Sequence, residues 1–219
     1  MAPMLEAVRH WLAPRPMIDE QRWVVLDVES SGLDMRRDRL LAIAAIGIHL
    51  NTAAPRIHLG DSFEVLLRQA DSHELPDKAN ILLHGIGVGA QRSGIDAAQA
   101  LAAFEAWVGT SPLVAFHAAF DQAMLDRASA AHLGRRLRGA WLDLAPLAAV
   151  LYPKVRAHAL DDWLAHFNIQ CAVRHQAAAD TLATAELLLK LWPALRRELP
   201  RPGFREVRTL AAQQRWLAR

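Results

Sequence analysis

Asp27 and Glu29 lie two positions apart at the end of the apolar run WVVLDVE, residues 23–29. Successive side chains on a strand alternate faces, so the two carboxylates point the same way. At about 5 Å and an effective dielectric near 20, their repulsion is on the order of 3 kcal/mol, and partial burial adds a desolvation cost. A cation between them relieves it. An arginine would serve, and so would a hard divalent ion, which prefers oxygen ligands. Two further acids occur in comparable settings. Asp121 closes the segment H-A-A-F-D after the short apolar run LVAFH, and Asp180 opens a long apolar helical run five residues after His175. A histidine next to clustered acids is suited to moving a proton near neutral pH. Taken singly, each has an ordinary reading: a solvated strand end, an acid favoured by a helix dipole, an exposed loop histidine. The joint pattern carries the chemistry.

The elements that must position these residues follow from hydrophobic period. Residues 23–29, 40–50 and 62–68 read as three strands separated by short turns, which predicts an antiparallel meander. From Asp96 the period becomes helical: a helix over 96–108 with Asp96 as its N-cap, a short strand over 113–117, and a helix over 118–133 stopped by Gly134. A short strand and a helix ended by Pro153 fill 140–153. Helices follow over 160–167, 177–195 and 206–218. That order predicts an α/β fold with a mixed sheet flanked by helices. Residues 1–21 read as an N-terminal helical appendage, 22–195 as the main domain and 196–219 as a basic helical tail.

Composition narrows the class. The chain has 219 residues, 53% of them hydrophobic, and a formal net charge of +2. That is ample for a core, and too little net charge to require a nucleic-acid partner. The tail is different: from Arg196 to Arg219 there are seven arginines against two glutamates, which offers phosphates or a partner a basic surface. The single cysteine, Cys171, excludes an intrachain disulfide framework and a cysteine-rich zinc site. No apolar run has membrane-spanning length and the first residues lack a signal-like apolar stretch, so the expected location is cytoplasmic. H-E-x-x-H, G-x-S-x-G and P-loop patterns are absent.

The four motifs together resemble the DEDDh family of 3′→5′ exonucleases, similar to the proofreading subunit of bacterial DNA polymerase III and to RNase T. D-V-E-S-S-G-L at 27–33 matches the family's first motif. H-A-A-F-D at 117–121 matches the second and H-Q-A-A-A-D at 175–180 the third. L-H-G-I at 83–86 matches the H-G-I segment between them. The resemblance covers roughly residues 22–195. It implies an RNase H-like fold with a five-stranded sheet in the order 3-2-1-4-5.

The resemblance also implies a mechanism. Two Mg2+ or Mn2+ ions would be held by Asp27, Glu29, Asp121 and Asp180, with Asp27 bridging, and His175 would act as general base. The substrate would be a single-stranded DNA or RNA 3′ end, DNA favoured, cut to nucleoside 5′-monophosphates. Gly32, Leu33, His84, Ile86 and Phe120 would contact the terminal nucleotide. A DNA polymerase or another replication or repair protein is the implied partner. One position departs from the family: Ala118 stands where an Asn is usual, which removes an amide contact. That departure keeps open a second reading, a weak or inactive nucleic-acid or polymerase-binding module of the same fold. A third reading, a dinucleotide site at G-I-G-V-G-A (85–90), needs a strand before it and a helix opening on it. The sequence predicts neither there.

Overall fold

The computed structural model describes residues 18–50, 54–69 and 78–214. The helix expected in the N-terminal appendage and the end of the one read at 206–218 lie outside the described residues. Five strands are present: β1 (Arg22–Ser30), β2 (Leu40–His49), β3 (Arg56–Leu66), β4 (Leu113–Ala115) and β5 (Trp141–Asp143). They form one mixed sheet in the order β3-β2-β1-β4-β5. The first three are an antiparallel meander, and β4 and β5 run parallel to β1. Fold and strand order are those the motifs imply.

The helices are α1 (Lys78–His84), α2 (Val88–Ser93), α3 (Ala97–Val108), α4 (Ala119–Leu133), α5 (Leu144–Leu151), α6 (Leu160–Phe167), α7 (Ala177–Glu198) and α8 (Phe204–Ala211). Both faces of β1 are covered, which is why its sequence is almost continuously apolar. Trp23 and Val25 point into a core built with α5, α6, α7 and α8. Val24, Leu26 and Val28 point into a second core with α3 and α4. Asp27 and Glu29 continue the Trp23–Val25 row, so they face the side covered by α7.

Several local expectations hold. The Asp96 side chain accepts from the backbone N–H groups of Ala98 and Gln99 at 3.1 and 3.2 Å, capping α3. Gly134 ends α4 in the left-handed region at φ 69°. Others differ. β3 begins at Arg56, because an edge strand half open to water needs no apolar alternation to mark it. β4 stops at Ala115, because His117 turns to φ 58°. The H-G-I segment begins at the last residue of α1 and runs into the turn before α2, which takes up most of the glycine-rich stretch after it. A helix does open at Val88, but α1 precedes the glycines where a dinucleotide site needs a strand. The break expected at 195/196 falls inside α7. Beyond it, α8 sets Phe204, Val207 and Leu210 in the same core as Trp23, whose ring meets Phe204 edge-on at 5.1 Å. Among the described residues no helix is long and apolar enough to cross a membrane.

Candidate active site

Three elements deliver the acids to the C-terminal end of β1. The strand itself carries Asp27 and Glu29. Helix α4 starts directly after β4, which is parallel to β1, so its first turn lies at the same end of the sheet. There Asp121, 3% exposed, accepts a hydrogen bond from the Val28 backbone N–H at 3.2 Å. Helix α7 packs on the Asp27 side, and its first turn supplies Asp180, 5% exposed. Asp180 accepts from the His175 backbone N–H at 2.9 Å and from the Cys171 thiol at 3.4 Å.

Electrostatics shows how closely they converge. Burial raises the Asp27 carboxyl well above its ordinary range, and the charges of Asp121, Glu29 and Asp180 raise it further. Glu29 is pushed up to about 8 by burial and then by Asp180. Burial also raises Asp121, against the hydrogen bonds it accepts from backbone N–H groups, and Asp143 and Glu29 add to the rise. An oxygen-only set of mutually repelling carboxylates is the donor chemistry of a hard divalent cation. Among the described residues no three His, Cys, Asp or Glu side chains already form a closed metal cluster. Asp180 is paired with Arg174, which also pairs with Asp161. That guanidinium offsets the charge on Asp27 and Glu29 as well. The carboxylate donor set is of the type a hard divalent cation takes, and in this arrangement Arg174 stands on Asp180.

The remaining expected site residues surround this end of β1. His175 is exposed, with φ 61°, directly before α7. Leu33 is 87% exposed, so it is not a core residue. Ile86 is half-buried, and Phe120 packs partly against the α4 core. Gly32 leaves room for a carboxylate: a Cβ there would lie 2.5 Å from Asp38 Oδ2. Asp38 in turn accepts from Ser31 Oγ at 2.9 Å and from the Asp34 N–H at 2.7 Å, fixing the loop that displays Leu33. Asp38 thus occupies the direction a side chain at Gly32 would take. His84 is buried, and its Nδ1 accepts from the Ile86 N–H at 2.9 Å. It therefore shapes the turn that presents Ile86. Gly85 in that turn, at φ 75°, faces Gln176 beside His175. Asn80 Nδ2 donates to the Ser30 carbonyl at 2.7 Å, tying α1 to the acid strand. Ala118 is buried in the α4 core.

Two residues at the site escape sequence reasoning. Arg174 is a lone charge in a loop. Its only signal is its place next to His175. Asp143 ends β5, caps α5 through the Ala145 N–H and accepts from the His117 N–H, both at 3.0 Å. An acid ending a strand parallel to β1 was the available sign.

The exonuclease family model of RNase T type matches residues 24–188. The PolC-type DNA polymerase III of Bacillus subtilis strain 168 is 30% identical over 180 residues, 82% of this chain and 12% of that protein. The chain thus corresponds to a small part of that relative. Escherichia coli Exonuclease I in complex with a dT13 oligonucleotide superposes with a TM-score of 0.68 at 17% identity, over 82% of this chain and 43% of that chain. The zinc-bound Escherichia coli Exonuclease I–ssDNA complex gives 0.67 at 19%, over 84% and 42%. These superpositions show a likeness of fold. The family model spans β1 through most of α7, including every acid described above, and the chain belongs to the exonuclease family of RNase T type, among the DEDD 3′→5′ exonucleases.

Proposed function

We propose that this chain hydrolyses single-stranded nucleic acid, DNA in preference, from its 3′ end to nucleoside 5′-monophosphates with divalent metal ions. The observation that carries this reading is the gathering of Asp27, Glu29, Asp121 and Asp180 from β1, α4 and α7 into one repelling, desolvated group. These four would hold two Mg2+ or Mn2+ ions, which supply stabilisation of the attacking and leaving oxygens in an in-line displacement at phosphorus. His175, exposed and held by its backbone to Asp180, takes the proton from the attacking water. The water oxygen bonds to phosphorus as the P–O bond to the penultimate 3′ oxygen breaks, and that oxygen takes a proton from solvent to become the new 3′ hydroxyl. Leu33 and Ile86 frame the terminal base. Ala118 removes an amide from the head of α4, but Asp121 keeps its backbone bond to Val28. Two likenesses support the substrate and metal class: the neighbour solved with dT13 and the one solved with zinc and single-stranded DNA. The polymerase relative supports association with replication proteins.

The test is digestion of a 5′-labelled single strand with Mg2+ or Mn2+. The expected result is a ladder shortening one nucleotide at a time, with mononucleotide product, lost in Asp27→Asn. Activity retained in that variant would place the chemistry elsewhere. Strand binding with no hydrolysis under either metal would favour the binding-module reading.

A further inference from the structure

A second charged feature lies on the side of the sheet covered by α3 and α4. A cavity of about 380 Å³ opens between the loop after β1, the end of β3, and α4. Its titratable lining is Arg37, Arg39, Arg68, Arg127 and His132 against one acid, Asp38. Asp38 offsets one of these charges and leaves the arginines in excess. Beneath the arginines the floor is apolar, formed by Leu40, Leu67 and the alanines of α3 and α4. Arginines over an apolar floor suit a ligand that carries phosphates and flat hydrophobic rings.

Two elements join this cavity to the acids. Along α4, Asp121 sits in the first turn, while Ala128 and His132, seven and eleven residues on, repeat its helical face and line the cavity. At 1.5 Å per residue the first step is about 10 Å. Along the other wall, Leu33 and Arg37 are four residues apart, at most about 15 Å. Arg39 is nearer still to the acid strand: its carbonyl accepts from the Ser31 N–H at 2.9 Å, two residues beyond Glu29. A strand whose last nucleotide lies at the acids must leave the site, and this cationic cleft begins within a few nucleotides of it.

We propose that the cleft lined by Arg37, Arg39, Arg68 and Arg127 binds the substrate strand on the 5′ side of its terminal nucleotide, the arginines on its phosphates and the apolar floor under its bases. This rests on the exonuclease reading and adds a length dependence to it. A dinucleotide reaches the acids alone, whereas longer strands gain the cleft.

The test uses 5′-labelled oligothymidylates from the dinucleotide upward, with the wild-type chain and the double variant Arg39→Ala/Arg127→Ala. Binding is measured by anisotropy without divalent ions and hydrolysis with Mg2+. The wild type is expected to bind longer strands progressively more tightly. The double variant should lose about tenfold in affinity for long strands, with its logarithmic salt slope reduced by about 1.4, the value for two phosphate contacts. Its dinucleotide hydrolysis and melting temperature should be unchanged, and Arg→Lys at both positions should restore part of the affinity. Unaltered length dependence and salt slope in an active double variant would overturn the cleft and leave the exonuclease reading standing. So would an acidic peptide that occupies the cleft without displacing the oligonucleotide. Length-dependent binding through these arginines with no hydrolysis under any metal would support the cleft and overturn the exonuclease reading.

Discussion

Arg174 donates from Nη1 to Oδ1 of Asp180 and from Nε to Oδ1 of Asp161, so one guanidinium ties the head of α7 to the first turn of α6. It stands on one of the four clustered acids and leaves Asp27, Glu29 and Asp121 to one another. Its side chain is partly exposed, on a loop between helices; under the proposed reading it is the counter-ion that a divalent metal would replace.

Arg174→Met should therefore destabilise the chain chiefly when divalent ions are absent. Removing one partner of a partly buried pair costs about 2 kcal/mol after allowance for exposure. In a domain of this size that lowers the melting temperature by roughly 4–8 °C. Melting curves with a chelator and with Mg2+ check this: the gap should narrow when the metal is added. An equal loss in both conditions would make Arg174 a structural tie only.

His175→Ala should lower kcat by about 10²–10⁴ while leaving metal affinity and melting temperature near wild type. The side chain is exposed and contributes only its backbone N–H to Asp180. A rate profile across neutral pH checks the role. Near-normal turnover throughout would remove His175 as the base.

Leu33→Ala should leave stability within about 0.5 kcal/mol, because an exposed side chain buries nothing on folding. If Leu33 packs on the terminal base, its loss costs about 1.5 kcal/mol of transition-state binding, close to tenfold in kcat/KM. Steady-state kinetics on a short oligonucleotide measures it. An unchanged kcat/KM would take Leu33 out of the site.

Asp61 provides a pH test away from the chemistry. Its carboxylate lies over Gly47, where a Cβ would collide with it. It accepts from Arg22 at 2.7 and 2.8 Å and contacts His49 at 2.8 Å. The hydrogen bond from Arg22 holds its carboxyl down at about 2. A group depressed in the folded state stabilises above its unfolded value and stops doing so as pH falls through the folded one. About 2 kcal/mol should therefore disappear between roughly pH 5 and pH 2. Asp61→Asn should flatten that part of the stability–pH curve, as followed by urea unfolding. An unchanged acid limb would contradict the assignment.

The strands of the sheet were legible because β1 and β2 are buried on both faces and β4 and β5 are short apolar runs before helices; their order was implied by the resemblance of the motifs. The acids were legible because i, i+2 spacing on a strand and first-turn positions on helices announce where a side chain points. Other features depend on tertiary contact. Edge strand β3 and helices α1 and α2 carry little apolar period, so only packing defines them. Asp38 filling the space at Gly32, His84 turned inward onto Ile86, and Arg174 reaching back to Asp180 are side-chain choices made by neighbours distant in the chain. The tail behaves likewise: its arginines marked a basic helical surface, but Phe204, Val207 and Leu210 at helical spacing put one face of α8 in the core.

The decisive measurement is diffraction from crystals soaked in Mn2+, read through the anomalous signal of the metal. Metal density is expected among the carboxylates of Asp27, Glu29, Asp121 and Asp180, with Arg174 withdrawn from Asp180, and no such density in Asp27→Asn. Crystals in which Arg174 keeps Asp180 and no ion enters among these acids, at metal concentrations that support hydrolysis, would contradict a metal site there.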